Sequence, residues 1–384
     1  MEYSKIDDIC LKVCSGGTPT SSNPNYYNGG IPWLNTNEVN FCNIYSTNKT
    51  ISQEGLEHSA AKYIPANTVI VAMYGVTAGK SAIAKIPLTT NQACCNLVID
   101  ETKADYRYVY YFLKQQSDNL NKLANGGAQQ NLNSLIIKKY KIALPNLDVQ
   151  HCIASILSTY DTLIENNTKR IRLLEKMAEN LYKEWFVRFR FPGHEKVEME
   201  NGLPKGWKVK KYEDEFNVKY GKGLPTDKLT KDGFPVFGSN GQIGYYTSYM
   251  YETPQILISC RGASSGVVNI SLPKSFITNN SLICEMTNKT ESVFEYLKYY
   301  FLNTNLVQYQ TGSAQPQITI NNIVKLKLLI PSIGVQNKFA NKVRAWDKEK
   351  GNLQHQNTLL ARQRDLLLPR LMSGKLEVKE ELLE

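Results

Sequence analysis

Histidine is scarce in this 384-residue chain, and its eight cysteines never form a C-x-x-C pair. His58, His151, His194 and His355 stand apart from one another and from any cluster of carboxylates or cysteines. Zinc needs closely spaced thiolate and imidazole ligands, so no metal site is expected. Cys10, Cys14, Cys42, Cys94, Cys95, Cys152, Cys260 and Cys284 are scattered, and read as reduced thiols of a cytoplasmic protein, not as a disulfide framework. No run of eighteen apolar residues exists, which excludes a spanning helix. Met1-Glu2-Tyr3-Ser4-Lys5 leads into the chain without the apolar stretch of a secretion signal. No carboxylate pair or Ser/His/Asp constellation can be argued from spacing, so the expectation is no catalytic residue and no cofactor of the chain's own.

Three strings imitate catalytic motifs and fail on inspection. Gly75 to Ser81, GVTAGKS, resembles a phosphate-binding loop but is one residue short. Its counterpart beginning at Gly262, GASSGVV, has no lysine. Asn23-Pro24-Asn25-Tyr26 resembles the N-P-P-Y loop of adenine methyltransferases, yet lacks the second proline and any upstream glycine-rich cofactor loop. Phe237 to Gly241, FGSNG, reads as a turn.

What is present is an ordinary globular balance with a basic tilt. Hydrophobic residues make up 42% of the chain, enough to bury two or three cores. Forty-five Lys and Arg against 35 acids give a net charge of +10, which favours a polyanionic partner without specifying one.

The informative feature is an internal repeat. The run from Gly127 to His151 reappears from Ser313 to Asn337, with Ala128 on Ala314, Pro145 on Pro331 and Gln150 on Gln336, each 186 positions on. GGTPT at Gly16 to Thr20 answers GKGLPT at Gly221 to Thr226, and Ile31-Pro32 answers Phe234-Pro235. The run Val69 to Pro87 answers Gln255 to Pro273, with Gly75 on Gly262 and Gly79 on Gly266. Tyr110-Tyr-Phe-Leu113 answers Tyr299-Tyr-Phe-Leu302. The earliest pairs have a larger offset, so the first copy carries extra residues between Ile31 and Gly75.

Each copy has one plan: short β-like runs such as Thr68 to Met73 and Gln255 to Cys260, then a tyrosine-rich helical stretch, a strand ending at Pro145 or Pro331, and a long helix. From Val149 to Phe189 there is neither Pro nor Gly. Residues in alternating four- and three-residue steps line one face: Val149, Ile153, Ile156, Tyr160, Leu163, Asn167, Arg170, Leu174, Met177 and Leu181. The second helix does the same with Val335, Phe339, Lys342, Trp346, Glu349, Leu353, Gln356, Leu360, Gln363 and Leu367. Heptad spacing of this kind marks a seam for another helix. The predicted seam residues are Ile156, Leu163, Leu174, Leu181, Trp346, Leu353, Leu360 and Leu367. The expected class is α+β: two globular α/β domains in internal repeat, separated by two long helices that form an antiparallel coiled coil. The expected boundaries are 1–148 and 192–333 for the domains, 149–191 for the central helix, and 334–384 for the C-terminal helix and tail.

With these features the sequence resembles the specificity subunits of type I restriction–modification systems along essentially its whole length. The resemblance is carried by the GGTPT and GGIPW strings of the first copy and the two Ala-Gln…Pro…Gln junctions. It extends to the passage from Leu173 to Gly193 followed by GLPKGWKV at Gly202, and to RDLLLPRLMSGKLEV from Arg364 to Val378. It implies that each recognition domain reads one half of a split double-stranded DNA sequence. It also implies that the helices set the gap and dock two methylation subunits, which bind S-adenosylmethionine, and that restriction subunits join them. The two domains differ outside their framework, which predicts an asymmetric recognition sequence.

Base contacts are expected from polar and basic loops. The candidates are Thr18, Thr20, Tyr74, Thr77 and Lys80 in the first copy, and Lys222, Ser239, Asn240, Arg261 and Ser264 in the second. Tyr74 and Arg261 hold equivalent places before Gly75 and Gly262, a varying position in a fixed frame. Gln129, Gln130, Gln315 and Gln317 repeat and therefore read as framework. Two other classes compete with this reading. A methyltransferase–specificity fusion is opposed by the missing methylation motifs. A coiled-coil scaffold or interaction protein, joining two modules without sequence-specific DNA binding, is opposed by the basic balance and the family strings.

Overall fold

A computed structural model of the chain describes residues 2–123, 132–312 and 315–378. Gly127, Ala128, Gln129, Gln130, Ser313 and Ala314 lie outside the described residues. The chain divides into two compact units, Met1–Asn167 with His355–Glu384, and Thr168–Gln354. Each mixes sheets with helices, as the α+β expectation requires.

In the first unit the apolar run Val69–Ala72 is buried at every position and stands at the centre of a five-stranded sheet. The strand order is Cys10–Ser15, Cys94–Ile99, Val69–Ala72, Ser81–Ala84, Cys42–Ile44. One face, with Val69, Val71, Cys95 and Leu97, packs on the tyrosine-rich helix α1 (Tyr106–Gln115); the other closes on Leu34 and Val39. A continuous apolar strand is what a sheet covered on both faces requires. The second unit repeats the sheet as Phe216–Tyr220, Ser281–Met286, Ile256–Ser259, Val268–Ile270. The strand Cys42–Ile44, parallel to Ser81–Ala84, falls within the extra residues of the first copy. Phe234–Gly238 and Gly241–Tyr246 form a hairpin whose tip is the turn read from FGSNG.

The long helices are α2 (Leu147–Tyr182) and α4 (Ile333–Met372), and the second tyrosine-rich helix is α3 (Phe294–Leu302). The repeated glutamines lock each junction. Gln150, 1% exposed, accepts a hydrogen bond from the Asp105 amide (3.0 Å) and donates to the Pro145 carbonyl (2.9 Å). Gln336 accepts from the Val293 amide (2.9 Å) and donates to the Pro331 carbonyl (2.7 Å). Tyr108 and Tyr296 donate to the carbonyls of Ala143 (2.8 Å) and Leu329 (2.6 Å).

The same bonding corrects one alignment. Tyr111 donates to Asp161 (2.6 Å) and Tyr299 to Asp347 (3.3 Å), so Tyr111, not Tyr110, is the equivalent of Tyr299. A run of tyrosines aligns with another run in two ways, and only the hydroxyl partners decide. These groups are tied up in the fold. Burial, and next the Asp161 charge, raise the Tyr111 phenol well above its usual range. Burial lowers the Lys298 ammonium, although Asp347 at 2.6 Å opposes it.

Each unit holds part of both long helices. In the first, Ile153, Ala154 and Leu157 share a core with Leu368, Leu371 and Met372, Asp161 pairs with Arg364, and Asn167 donates to Gln356 (3.4 Å). In the second, Ala178, Tyr182, Trp185 and Phe186 meet Phe339 and Val343, Arg170 pairs with Glu349 at 2.7 Å, and Glu175 with Lys350 at 3.4 Å. Across each unit the partners on α4 pass to lower numbers as α2 advances, from Leu368 to Gln356 in the first and from Glu349 and Lys350 to Phe339 in the second, so the segments are antiparallel within each unit.

The phase of the seam differs by one residue on alternate rungs. The row Ile153, Tyr160, Asn167, Leu174, Leu181 faces inward as the sequence predicts, but its companion is Leu157, Ile164, Ile171, Ala178. Leu163 is 44% exposed and Met177 47%, whereas Leu157 and Ala178 are fully buried. On α4 the companion row is Val343, Lys350, Asn357, Arg364 in place of Lys342, Glu349, Gln356, Gln363. Ile156, Leu174, Leu181, Trp346, Leu360 and Leu367 are half-buried, and Leu353 is buried. Spacing alone does not fix phase, because both phases of α2 carry apolar residues; the packing of the helix ends selects one.

Candidate nucleic-acid interface

Backbone hydrogen bonds gather the same set of loops at one end of each main sheet. In the first unit the Gly17 amide donates to Thr90, Asn91 to Leu34 and Met73 to Ala93, each at 2.9 Å, and Leu132 to Met73 at 3.0 Å. In the second, Lys222 donates to Ile277 and Thr278 to Phe237, both at 2.9 Å, and Cys260 to Asn280 and Ile318 to Cys260, both at 3.0 Å. The two sets correspond bond by bond.

The glycines of the repeat make this frame. A side chain at Gly16 would overlap the Thr90 carbonyl, and one at Gly221 the Thr278 carbonyl. Gly75 and Gly262 both take φ +76°, while Gly79 and Gly266 take +79° and +87°, conformations open to glycine at little cost. The frame is therefore shared, and what differs is the side chains at the loop tips.

Of the five residues predicted in the first copy, Thr18, Thr20 and Tyr74 are exposed at this end. Thr18 is bonded to Gln92 through its hydroxyl, and Tyr74 begins the turn Gly75–Thr77. Thr77 is only 7% exposed and donates to the Thr36 carbonyl (2.8 Å), so its hydroxyl is occupied within the fold. Lys80 is half-buried, donates to Asn40 (2.8 Å) and sits 5.9 Å from the centre of the Phe41 ring. In the second copy Lys222, Asn240 and Arg261 are exposed, and Ser239 and Ser264 half-buried. The Ser239 carbonyl accepts from the Ser259 hydroxyl, which ties the hairpin tip to the end of the central strand.

The fold adds residues that the sequence reading passed over. Asn35, Asn91 and Gln92 join the first loop end, with the Asn91 amide 3.3 Å from Asn35 Oδ1. Asn280 joins the second, beside Gln317, whose backbone bridges to Arg261. Runs of Asn and Thr read locally as turns, so only the tertiary arrangement shows that they share an end with Thr18 or Arg261.

Chemically the two ends offer hydroxyls, amides, an ammonium and a guanidinium, the donors and acceptors that pair with base edges and phosphates. Among the described residues, no group of three or more His, Cys, Asp or Glu side chains is placed to hold a metal ion. Burial pushes the Cys95 thiol up to about 12, which keeps it protonated and unreactive.

The family description "Type I restriction modification DNA specificity domain" matches residues 1–176 and 204–360, one match for each copy of the repeat. The type I restriction enzyme MjaIX specificity subunit of Methanocaldococcus jannaschii is 28% identical over 99% of this chain and 94% of its own length. The EcoR124I/EcoR124II specificity subunit of Escherichia coli is 30% identical over 51% of this chain and 50% of its own. The crystal structure of a type I restriction–modification S subunit from M. genitalium shares the fold, with a TM-score of 0.62 and 20% identity over 96% of this chain and 95% of that one. With its doubled framework matched twice by that domain, the chain belongs to the specificity subunits of type I restriction–modification systems.

Proposed function

We propose that the chain reads a bipartite, asymmetric sequence in double-stranded DNA, one half-site per unit, and contributes no catalytic group. The observation that carries this is the pairing of an identical backbone frame with different tip residues: Tyr74 against Arg261, Val76 against Ala263, Lys80 against Val267. A fixed frame with changed donors and acceptors is what reading two different short sequences demands. Two identical reading heads would instead imply a palindrome. Phosphate contacts from Lys222 and from neighbouring lysines supply affinity, and the tip side chains supply discrimination.

In the same reading the long helices dock two methylation subunits, and restriction subunits complete the nuclease. S-adenosylmethionine binds the methylation subunits, not this chain. The leucines left exposed on the first unit's helices, Leu163, Leu359 and Leu366, supply an apolar surface for such docking.

The test is to co-express the chain with its methylation subunit and map methylated adenines across the host DNA. One split, asymmetric motif, lost when the chain is omitted, is the expected result. Methylation unchanged by the omission would refute the reading and leave a scaffold that joins two modules without reading DNA.

A further inference from the structure

We propose that Arg261 reads a guanine in the half-site of the second unit, and that the sheet-end loops of the first unit read theirs without any arginine. This inference rests on the DNA-reading function above and deepens it to the identity of a base.

Arginine is distributed in an informative way. Between Met1 and Asn146 the sequence holds one arginine, Arg107, and between Phe191 and Pro331 it holds one, Arg261. Arg107 is spent within the fold. Its Nε and Nη2 meet Asp105 at 3.2 and 2.7 Å, a bidentate grip at the start of α1, beside the glutamine-locked junction with the long helix. The Nε/Nη2 edge is thereby closed by a carboxylate, and Arg107 follows the end of strand Cys94–Ile99 that lies away from the loop bonds at Asn91 and Ala93.

Arg261 is the opposite case. It is exposed, it directly precedes the φ +76° turn at Gly262, and its side chain makes no hydrogen bond or ion pair with any described residue. Its backbone is fixed on both sides. Cys260 donates to Asn280 (3.0 Å) and Gly262 to Pro316 (3.1 Å), and Arg261 bridges to Gln317. A guanidinium with no partner among the described residues, on an anchored stem, suits a rigid groove. Its planar fork matches guanine O6 and N7, the pairing that gives arginine its base selectivity.

The first unit carries Tyr74 at the equivalent place, followed by Val76, which is 96% exposed at the loop tip. Thr18, Thr20, Tyr74 and Gln92 are left as its readers, with Val76 as an apolar surface suited to a thymine methyl. The two half-sites are thus read by different chemistry: a guanidinium fork in the second, amides, hydroxyls and an apolar tip in the first.

The experiment uses the full chain in complex with its methylation subunit, as wild type and as Arg261→Gln. The methylated motif is mapped first. Binding is then measured on duplexes in which each guanine of the motif is replaced in turn by 7-deazaguanine, which lacks the N7 acceptor. One guanine is expected at which the replacement weakens the wild-type complex by about 5- to 150-fold and leaves the Arg261→Gln complex unaffected. Mapped methylation by the variant is expected to tolerate other bases at that position alone.

A motif in which no guanine behaves this way overturns the proposal. So does a variant that loses affinity equally for all sequences, with a salt slope reduced by about one, since Arg261 is then a phosphate contact. If the wild-type complex methylates no split motif, the DNA-reading function itself fails and this assignment with it. That outcome is distinguishable because it appears before any substitution is made.

Discussion

The phase of the helix seam makes a sharp prediction, because two leucines six residues apart on α2 have opposite environments. Leu157 is fully buried with Leu368, Leu371 and Met372, whereas Leu163 is 44% exposed. Leu157→Ala removes buried methyl groups and leaves a cavity in a core shared by two helices and the recognition domain. Substitutions of this kind cost about 2–5 kcal/mol. For a unit near 200 residues each kcal/mol lowers Tm by roughly 2–4 °C, so a mid-range cost of about 3 kcal/mol gives a drop of roughly 6–12 °C. Leu163→Ala stays within about 0.5 kcal/mol, a shift of at most roughly 2 °C. Calorimetry of the full-length chain, with the transition of the first unit followed separately, reads both. Equal destabilisation by the two substitutions, or a larger effect at Leu163, would refute the seam and restore the phase read from heptad spacing.

Other outcomes follow from the same structure. Gln336→Ala leaves the Val293 amide and the Pro331 carbonyl without partners and costs the second unit about 2–4 kcal/mol, visible in the same calorimetric trace; an unchanged transition refutes the locking role. Gly16→Ala forces a methyl group into the Thr90 carbonyl, so DNA affinity of the assembled complex falls while α1 and its core stay protected in hydrogen exchange; retained affinity would show that the frame tolerates displacement. Log affinity plotted against log salt is expected to fall with a slope of about −0.9 for each phosphate contacted, and a flat plot would exclude phosphate-led binding.

Much of the architecture was legible in the sequence because the chain states it twice. Pro145 and Gln150 recur at Pro331 and Gln336, and the fold gives both glutamines one task, bridging the start of a tyrosine-rich helix to the end of a strand. Gly75 and Gly262 recur because both turns need a left-handed backbone. Repetition exposes such residues without any structural knowledge, since side chains free to vary have diverged between the copies.

Three matters lay beyond it. Heptad spacing named a seam but placed Leu163 inside and Leu157 outside it, because periodicity fixes step size and leaves rotation about the helix axis open. The tyrosine runs aligned one residue out of step until the Asp161 and Asp347 bonds selected Tyr111 and Tyr299. Thr77, by spacing as eligible for DNA as Thr18, turned out to hold the Thr36 carbonyl.

Sequence alone determined the doubled plan and the two kinds of segment within it, since both are written in spacing and composition. Tertiary structure alone decided which polar side chains are already occupied and which face outward. Arg107 and Arg261 are the same residue type in comparable domains, yet one is held by Asp105 and the other has no side-chain partner among the described residues. That difference depends on partners far apart in the chain or on the shape of a turn, and neither is encoded in local pattern.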